Sequence, residues 1–229
     1  VSAENDELSA EAAGLVYGNH LALSQTKLES FTKCHFAYCC NYLLSLDDGK
    51  KAEFSADSIG TFVHFILEKY FIEVFIHRGG EFPSEKEKSS IIEKYTSQYA
   101  AEHLPTDAGR RVEYMTHRLR RLATLIIEDI ENELADTDFK PEAFELSIGR
   151  DIPSPQILLD DNSRVTLGGK IDRVDVFRRG GKAYLRAVDY KTGKKDFDYC
   201  DVFNGVGLQM LLYLFALQEK MNSNVVDIK

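Results

Sequence analysis

No run of apolar residues in this chain of 229 approaches the ~20 that a helix needs to cross a bilayer. A role as a helical membrane protein is therefore excluded. Val1 to Ala13 is acidic and polar, where a secretory signal needs a basic segment followed by an apolar one, so it does not read as an export signal. Cysteine is scarce as well. Cys34, Cys39, Cys40 and Cys200 lack the compact Cys/His spacing of a zinc site, and reduced thiols in a cytoplasmic protein are the expectation. Positive charge is in deficit: 28 Lys and Arg against 37 Asp and Glu leave a formal net charge of −9. That balance excludes attraction of the whole molecule to nucleic acid, so any such contact must use a local patch, a bound metal or a neighbouring domain. Internal repeats and low-complexity linkers are also missing. With 44% hydrophobic residues the chain can bury a sizeable core as one large domain, or a domain with an appendage.

Residues 1–23 are Ala, Glu and Gly rich with little periodicity, and read as a lead-in or linker. The domain proper is expected over residues 24–229. Thr26 with Glu29 three residues on has the form of a capping box, opening a helix that continues through the aromatic stretch Cys34 to Leu44, with most of its side chains in the core. Between Ser55 and His77 the residues Ile59, Val63, Ile66, Leu67, Tyr70, Val74 and Phe75 fall at helical spacing. Gly60 and His64 lie one turn apart on that helix. A mid-helix glycine hints at close approach by another group, and His64 either points toward the same space or is a half-buried histidine bonded to a carbonyl. Two further helices follow, over residues 84–104 and 107–135. The second carries Arg110, Arg111, Arg118, Arg120 and Arg121, a run that is either a solvated face or a contact for a phosphate backbone.

At Pro141 to Gly149 the pattern changes from helical to alternating. Phe144, Leu146 and Ile148 share one face and Glu145 takes the other, so the sheet begins here. Strands are expected over residues 156–159, 164–177 and 183–191, then a helix over 201–221 with Gln209 and Tyr213 four apart on one side. Gln209 and Tyr213 fit either surface and core positions or a substrate clamp. Asn224 to Lys229 looks like the entry to another strand. Helices, then strands, then a helix suggest an α/β fold with a mixed sheet covered by helices.

The stretch that organises the rest is Lys170 to Asp175, the turn at Gly180 and Gly181, and the return run Val188 to Gly193. Two glycines supply the positive φ angles of a tight primed turn, so the two runs read as a β-hairpin. A two-residue turn at Gly180-Gly181 puts Asp172 opposite Asp189, with Lys191 on the same face. Like charges set across a ladder destabilise it. Either a hard divalent cation sits between these acids, or the hairpin is charged and solvated.

Asp172 followed by Asp189-Tyr190-Lys191 resembles the signature of the PD-(D/E)XK nuclease superfamily. His64 within Gly60-Thr61-Phe62-Val63-His64, together with Gln209 and Tyr213, is similar to the RecB-type nuclease domains. The blocks Ser24 to Cys34, Phe144 to Leu146, Gly169 to Asp175 and Asp189 to Gly193 resemble most closely the nuclease domain of the AddB/RexB-type subunit of bacterial helicase-nucleases. The resemblance spans Ser24 to Tyr213 in five ordered blocks. It implies a restriction-endonuclease-like mixed β-sheet flanked by α-helices. It also implies a Mg²⁺ or Mn²⁺ ion held by His64, Asp172, Asp189 and the Tyr190 carbonyl, with Glu145 near the site.

By the same resemblance Lys191 would orient or deprotonate the attacking water and stabilise charge on the phosphoryl group, while Gln209 and Tyr213 would support the site and the DNA backbone. Arg118 and Arg121 are further candidates for DNA contact. The implied function is that of a metal-dependent DNA exonuclease domain from a helicase-nuclease subunit acting in double-strand break repair and recombination. Its partners would be DNA and an AddA/RexA-like subunit, in the cytoplasm and away from membranes. Alternatives of the same fold are a stand-alone or CRISPR-associated exonuclease and a DNA-binding module that has lost catalysis. Two departures stand out. His35 replaces the proline that follows the family's first cysteine. The 4Fe-4S cluster that such domains often carry would pair Cys34 with three cysteines beyond the last nuclease helix; Cys39, Cys40 and Cys200 do not match them, so the cluster is expected only in a longer protein.

Overall fold

A computed structural model describes residues 9–18, 20–46, 56–104, 109–160, 163–191 and 198–222. In chain order its elements are α1 (Ala10–Tyr17), β1 (His20–Ser24), α2 (Gln25–Lys33), α3 (His35–Tyr38) with a π-helical turn at Cys39–Leu43, and α4 (Ala56–Ile72) with a second π-helical turn at Glu73–His77. They continue with α5 (Glu85–His103), α6 (Gly109–Ala135), β2 (Lys140–Ile148), β3 (Gln156–Leu158), β4 (Arg164–Arg179), β5 (Lys182–Val188), α7 (Tyr199–Phe203) and α8 (Gln209–Asn222). The five strands form one mixed sheet in which β4 pairs with each of the others. The expected final strand at residues 224–229 lies outside the described residues, as do Thr192 and Gly193.

The chain divides into two compact units. The first gathers the described residues of Val1–Lys50, Ser147–Lys170 and Asp196–Val225. Within it β1 runs parallel to the first part of β4, from His20 opposite Arg164 to Ser24 opposite Gly168, and β3 runs antiparallel to the same stretch. Residues 1–23, read from sequence as a lead-in, thus contribute α1 and most of β1.

Several local expectations in this unit are corrected. The cap of α2 is Ser24, whose hydroxyl accepts from Lys27 N–H, and Glu29 instead accepts from the backbone N–H of Gly207 at 2.8 Å. Helix α2 does not run on through Cys34. That residue is extended at φ −162°, and its Sγ accepts from Ala37 N–H, so a new helix starts there. Among the side chains of residues 34–44 only Tyr38 is buried, and Phe36 is 77% exposed. The single helix expected over 201–221 is broken between α7 and α8, where Gly205 and Gly207 take φ of 78° and 72°, a conformation that ends a helix.

The second unit takes the described residues of Lys51–Leu146 and Ile171–Lys195. Its core is the meeting of three helices: Phe62, Ile66, Leu67, Tyr70, Phe71 and Val74 of α4, Ile92 of α5, and Ala123, Ile127 and Leu134 of α6 are almost wholly enclosed. The α4 positions are those its periodicity marks out. Truncating one of the large ones to alanine would cost about 2–5 kcal/mol through lost transfer energy and the cavity left behind. Against this layer lies the antiparallel pair β4 and β5, joined by Gly180 and Gly181 at φ 60° and 74°, both positive as a type I′ turn requires. Its last ladder pair is Arg173 opposite Val188, so the next pair along the register is Asp172 with Asp189.

Candidate metal centre

Three elements of the second unit each deliver one donor group to a single place. Helix α4 supplies His64, β4 supplies Asp172 and β2 supplies Glu145; one ligand atom from each lies within 4.8 Å of the other two. His64 Nδ1 is 3.1 Å from Asp172 Oδ1. The other oxygen of Asp172 accepts from the backbone N–H of Tyr190 at 2.6 Å, and the carbonyl of Tyr190 also bonds the His64 ring. Asp172 is buried, whereas the His64 side chain keeps about a third of its surface open to solvent. The cluster is therefore enclosed at its base and open at the imidazole.

Glu145 reaches this place by an unusual route. It has φ +51° in the middle of β2, where alternation alone calls for an extended backbone. A left-handed conformation costs a residue with a side chain roughly 1–2 kcal/mol. Such strain persists only where the surroundings over-determine it, and a left-handed residue in a strand re-aims its side chain.

Asp189 and Lys191 follow the end of β5. The carboxylate of Asp189 is turned to Lys191 Nζ, 2.7 Å away. The Lys191 ammonium is 45% exposed and Asp189 is largely buried, so the pair has one end in water and one in the protein. Of the acids and the histidine expected at a metal, the structure brings His64, Asp172 and Glu145 closest together, with Asp189 beside them in its lysine pair.

The charges respond to this setting. The hydrogen bond to Asp172 raises the pKa of His64 above its usual value, with burial opposing and Glu145 adding to the rise. Asp189 is also raised, chiefly by burial and further by Asp172, with Lys191 opposing. Burial pushes the Tyr190 phenol up to about 12 against the neighbouring Arg173 guanidinium.

The remaining candidates lie elsewhere. Gln209 and Tyr213 belong to the first unit, where the Gln209 amide donates to the Tyr213 hydroxyl and that hydroxyl donates to the carbonyl of Lys170. Tyr213 also packs closely on Gly169, where an added Cβ would come within 3.2 Å of the ring. Arg118 and Arg121 are exposed on α6, with the Arg118 guanidinium 5.9 Å from the ring centre of the exposed Tyr114. Cys34 is exposed and serves as the cap of α3.

Sequence reasoning missed a second cluster beside the first. Arg173 is wholly buried, and its Nε and Nη2 donate to the two oxygens of Asp175 at 2.7 and 3.0 Å. Its Nη1 donates to the Tyr190 hydroxyl at 2.8 Å. Arg186, registered directly opposite Asp175, donates to it at 2.9 Å and to Glu133 of α6 at 2.7 Å. The signal was present: Arg173 and Asp175 are two apart on one strand, and the hairpin register places Arg186 across from the acid.

The donor set fits a hard divalent cation, because carboxylate oxygens with one imidazole are the ligands that Mg²⁺ and Mn²⁺ accept. The family comparison agrees with that chemistry. Residues 22–227 match the model of the PD-(D/E)XK nuclease superfamily. The chain is 31% identical over 217 residues to an ATP-dependent helicase/deoxyribonuclease subunit of Clostridium tetani, covering 91% of this chain and 19% of that protein. The same subunit from Clostridium acetobutylicum and from Clostridium botulinum is 30% and 33% identical, covering 97% and 88% of this chain and 20% and 18% of their own lengths. The chain thus spans about a fifth of these relatives. On the extent of the family match and the identity to these relatives, the chain belongs to the PD-(D/E)XK nuclease superfamily.

Proposed function

We propose that this domain is a metal-dependent exonuclease that hydrolyses DNA phosphodiester bonds, as part of a helicase-nuclease subunit acting in double-strand break repair and recombination. The observation that carries the reading is the convergence of His64, Glu145 and Asp172 within 4.8 Å, beside a buried aspartate paired to a half-exposed lysine. His64, Asp172 and Glu145 would hold Mg²⁺ or Mn²⁺, with Asp189 and the Tyr190 carbonyl as further ligands. When bound, the cation neutralises charge on the scissile phosphate and lowers the pKa of water.

The chain's own groups do the rest. Lys191 presents its ammonium to solvent at 2.7 Å from Asp189, where it can steer a phosphate oxygen and hold the attacking water in line. Asp189 keeps that ammonium in place. Asp172, fixed by the Tyr190 N–H on one oxygen and His64 on the other, cannot swing away from the site. Protonation of His64 competes with a cation for the same ring nitrogen. The exposed Arg118, Arg121 and Tyr114 on α6 offer positive charge and a stacking surface for a strand of DNA in an otherwise acidic chain. Gln209 and Tyr213 would support the site and the DNA backbone through β4. Among the described residues no helix is long and apolar enough to cross a membrane. An AddA/RexA-like partner and a cytoplasmic setting complete the reading, on the names of the relatives.

The test is digestion of end-labelled linear DNA. Mg²⁺ or Mn²⁺ should be required, EDTA should stop the reaction, and Asp189→Ala or Lys191→Ala should lower the rate by about 10²–10⁴-fold with the circular dichroism spectrum unchanged. Wild-type cleavage by either variant would refute the assignment.

A further inference from the structure

We infer that Arg173 and the Tyr190 hydroxyl are positioning residues that set the metal centre from behind. This deepens the proposed function and rests on the reading of His64, Glu145 and Asp172 as a cation site.

Tyr190 joins two things that it alone holds from the main chain. Its backbone N–H holds Asp172 Oδ2 at 2.6 Å, and its carbonyl bonds the His64 ring. Yet it lies two residues beyond Val188, the last residue of β5, so no ladder pairing fixes its backbone. What fixes the residue is its other end. The hydroxyl accepts from Arg173 Nη1 at 2.8 Å, and the Arg173 guanidinium lies 5.6 Å from the Tyr190 ring centre and 5.8 Å from that of Phe71. Arg173 in turn cannot move, because both of its other donor groups are held by Asp175, which also takes Arg186, itself anchored to Glu133. A run of charge-assisted bonds thus extends from α6 through the hairpin to a residue whose main chain touches both Asp172 and His64.

Stability alone is a poor reason for this arrangement. Removing a guanidinium and a carboxylate from water costs several kcal/mol per ion, and well-packed apolar residues in their place are often as stable or more so. A planar fork with fixed donor directions does what apolar packing cannot: it sets the position of a phenol oxygen, and through a rigid ring the peptide unit attached to it. Groups that orient a metal's ligands are worth about 10–100-fold in metal affinity when removed.

The experiment is Mn²⁺ binding to the otherwise intact chain, followed by electron paramagnetic resonance and by calorimetric titration, for wild type, Tyr190→Phe, Arg173→Lys and the double variant. Tyr190→Phe removes one oxygen and keeps the ring, so the fold is expected to survive. Arg173→Lys keeps the charge and loses the fork. Each single variant is expected to weaken Mn²⁺ binding by about 10-fold or more, and the double variant no further than the more severe of the two singles, because both act through the same bond. Dissociation constants within twofold of wild type in both singles, or effects that multiply in the double, would overturn the inference even if thermal stability fell. Failure of the wild-type chain to bind Mn²⁺ would contradict the cation-site reading itself and this inference with it. A wild-type site abolished by Asp172→Asn but untouched by Tyr190→Phe would overturn this inference alone.

Discussion

Around Arg173, charges cancel: two guanidinium groups and two carboxylates, Arg173, Arg186, Asp175 and Glu133, close on one another with every distance between 2.7 and 3.0 Å. One residue earlier on β4, around Asp172, two carboxylates and an imidazole gather within 4.8 Å, and with the histidine neutral these three do not cancel. The first cluster is wholly or partly buried and complete without a ligand. The second is open to solvent at His64 and strained at Glu145, and a cation would relieve it. Neighbouring positions of one strand therefore serve opposite ends. One commits its hydrogen bonds to a fixed geometry, and the other keeps like charges close for something to bind.

The comparison can be broken most severely at Arg173. Replacing it by methionine leaves Asp175 buried with one cation fewer, and is expected to cost about 3–5 kcal/mol in urea denaturation, whereas adding Asp175→Leu should recover most of that loss. An unchanged midpoint for Arg173→Met would show that the closed cluster carries no structural weight. The open cluster should respond to metal instead. Mn²⁺ at 100 times its dissociation constant should stabilise the wild-type chain by about 2.7 kcal/mol and leave Asp172→Asn where it was. Equal stabilisation of both would place the ion elsewhere. Glu145→Gly should separate strain from function: relief of the left-handed backbone should raise the stability of the metal-free chain by roughly 1 kcal/mol while its metal response falls. Lower stability of the metal-free variant would contradict the strain argument.

The smallest effect is expected from an exposed pair that belongs to neither cluster. Asp151, in the turn after β2, accepts from Ser147 N–H and from Arg150, and Arg150 chiefly holds its pKa down at about 2. A lowered folded-state pKa gives stability that is present above the unfolded value near 4 and lost as pH falls toward 2. Asp151→Asn should thus lower the melting temperature slightly at pH 7 and not at all near pH 2. A larger shift at the lower pH would reverse the assigned sign.

What could be read from sequence was what repeats or pairs locally. The spacing of Phe62 to Val74 fixed the buried face of α4, and two glycines set the hairpin register that puts Asp172 next to Asp189. His64 could be tied to the acids only through the family resemblance, since nothing along a helix says which strand will lie beneath it. The cap at Ser24 lost to the more familiar Thr26 and Glu29 spacing because the partner of Glu29 is Gly207, far along the chain. The break between α7 and α8 had its signal in Gly205 and Gly207, which an apolar pattern running over them concealed. The left-handed backbone of Glu145 left no mark at all, because a strained residue obeys its surroundings and not its own preference.

The most direct measurement is a crystal of the protein soaked in Mn²⁺, with the ion found by its anomalous scattering. The expected result is one strong peak within bonding distance of the His64 ring and of the carboxylates of Asp172 and Glu145. A peak elsewhere, or none while His64 Nδ1 remains 3.1 Å from Asp172 Oδ1, would contradict the metal centre.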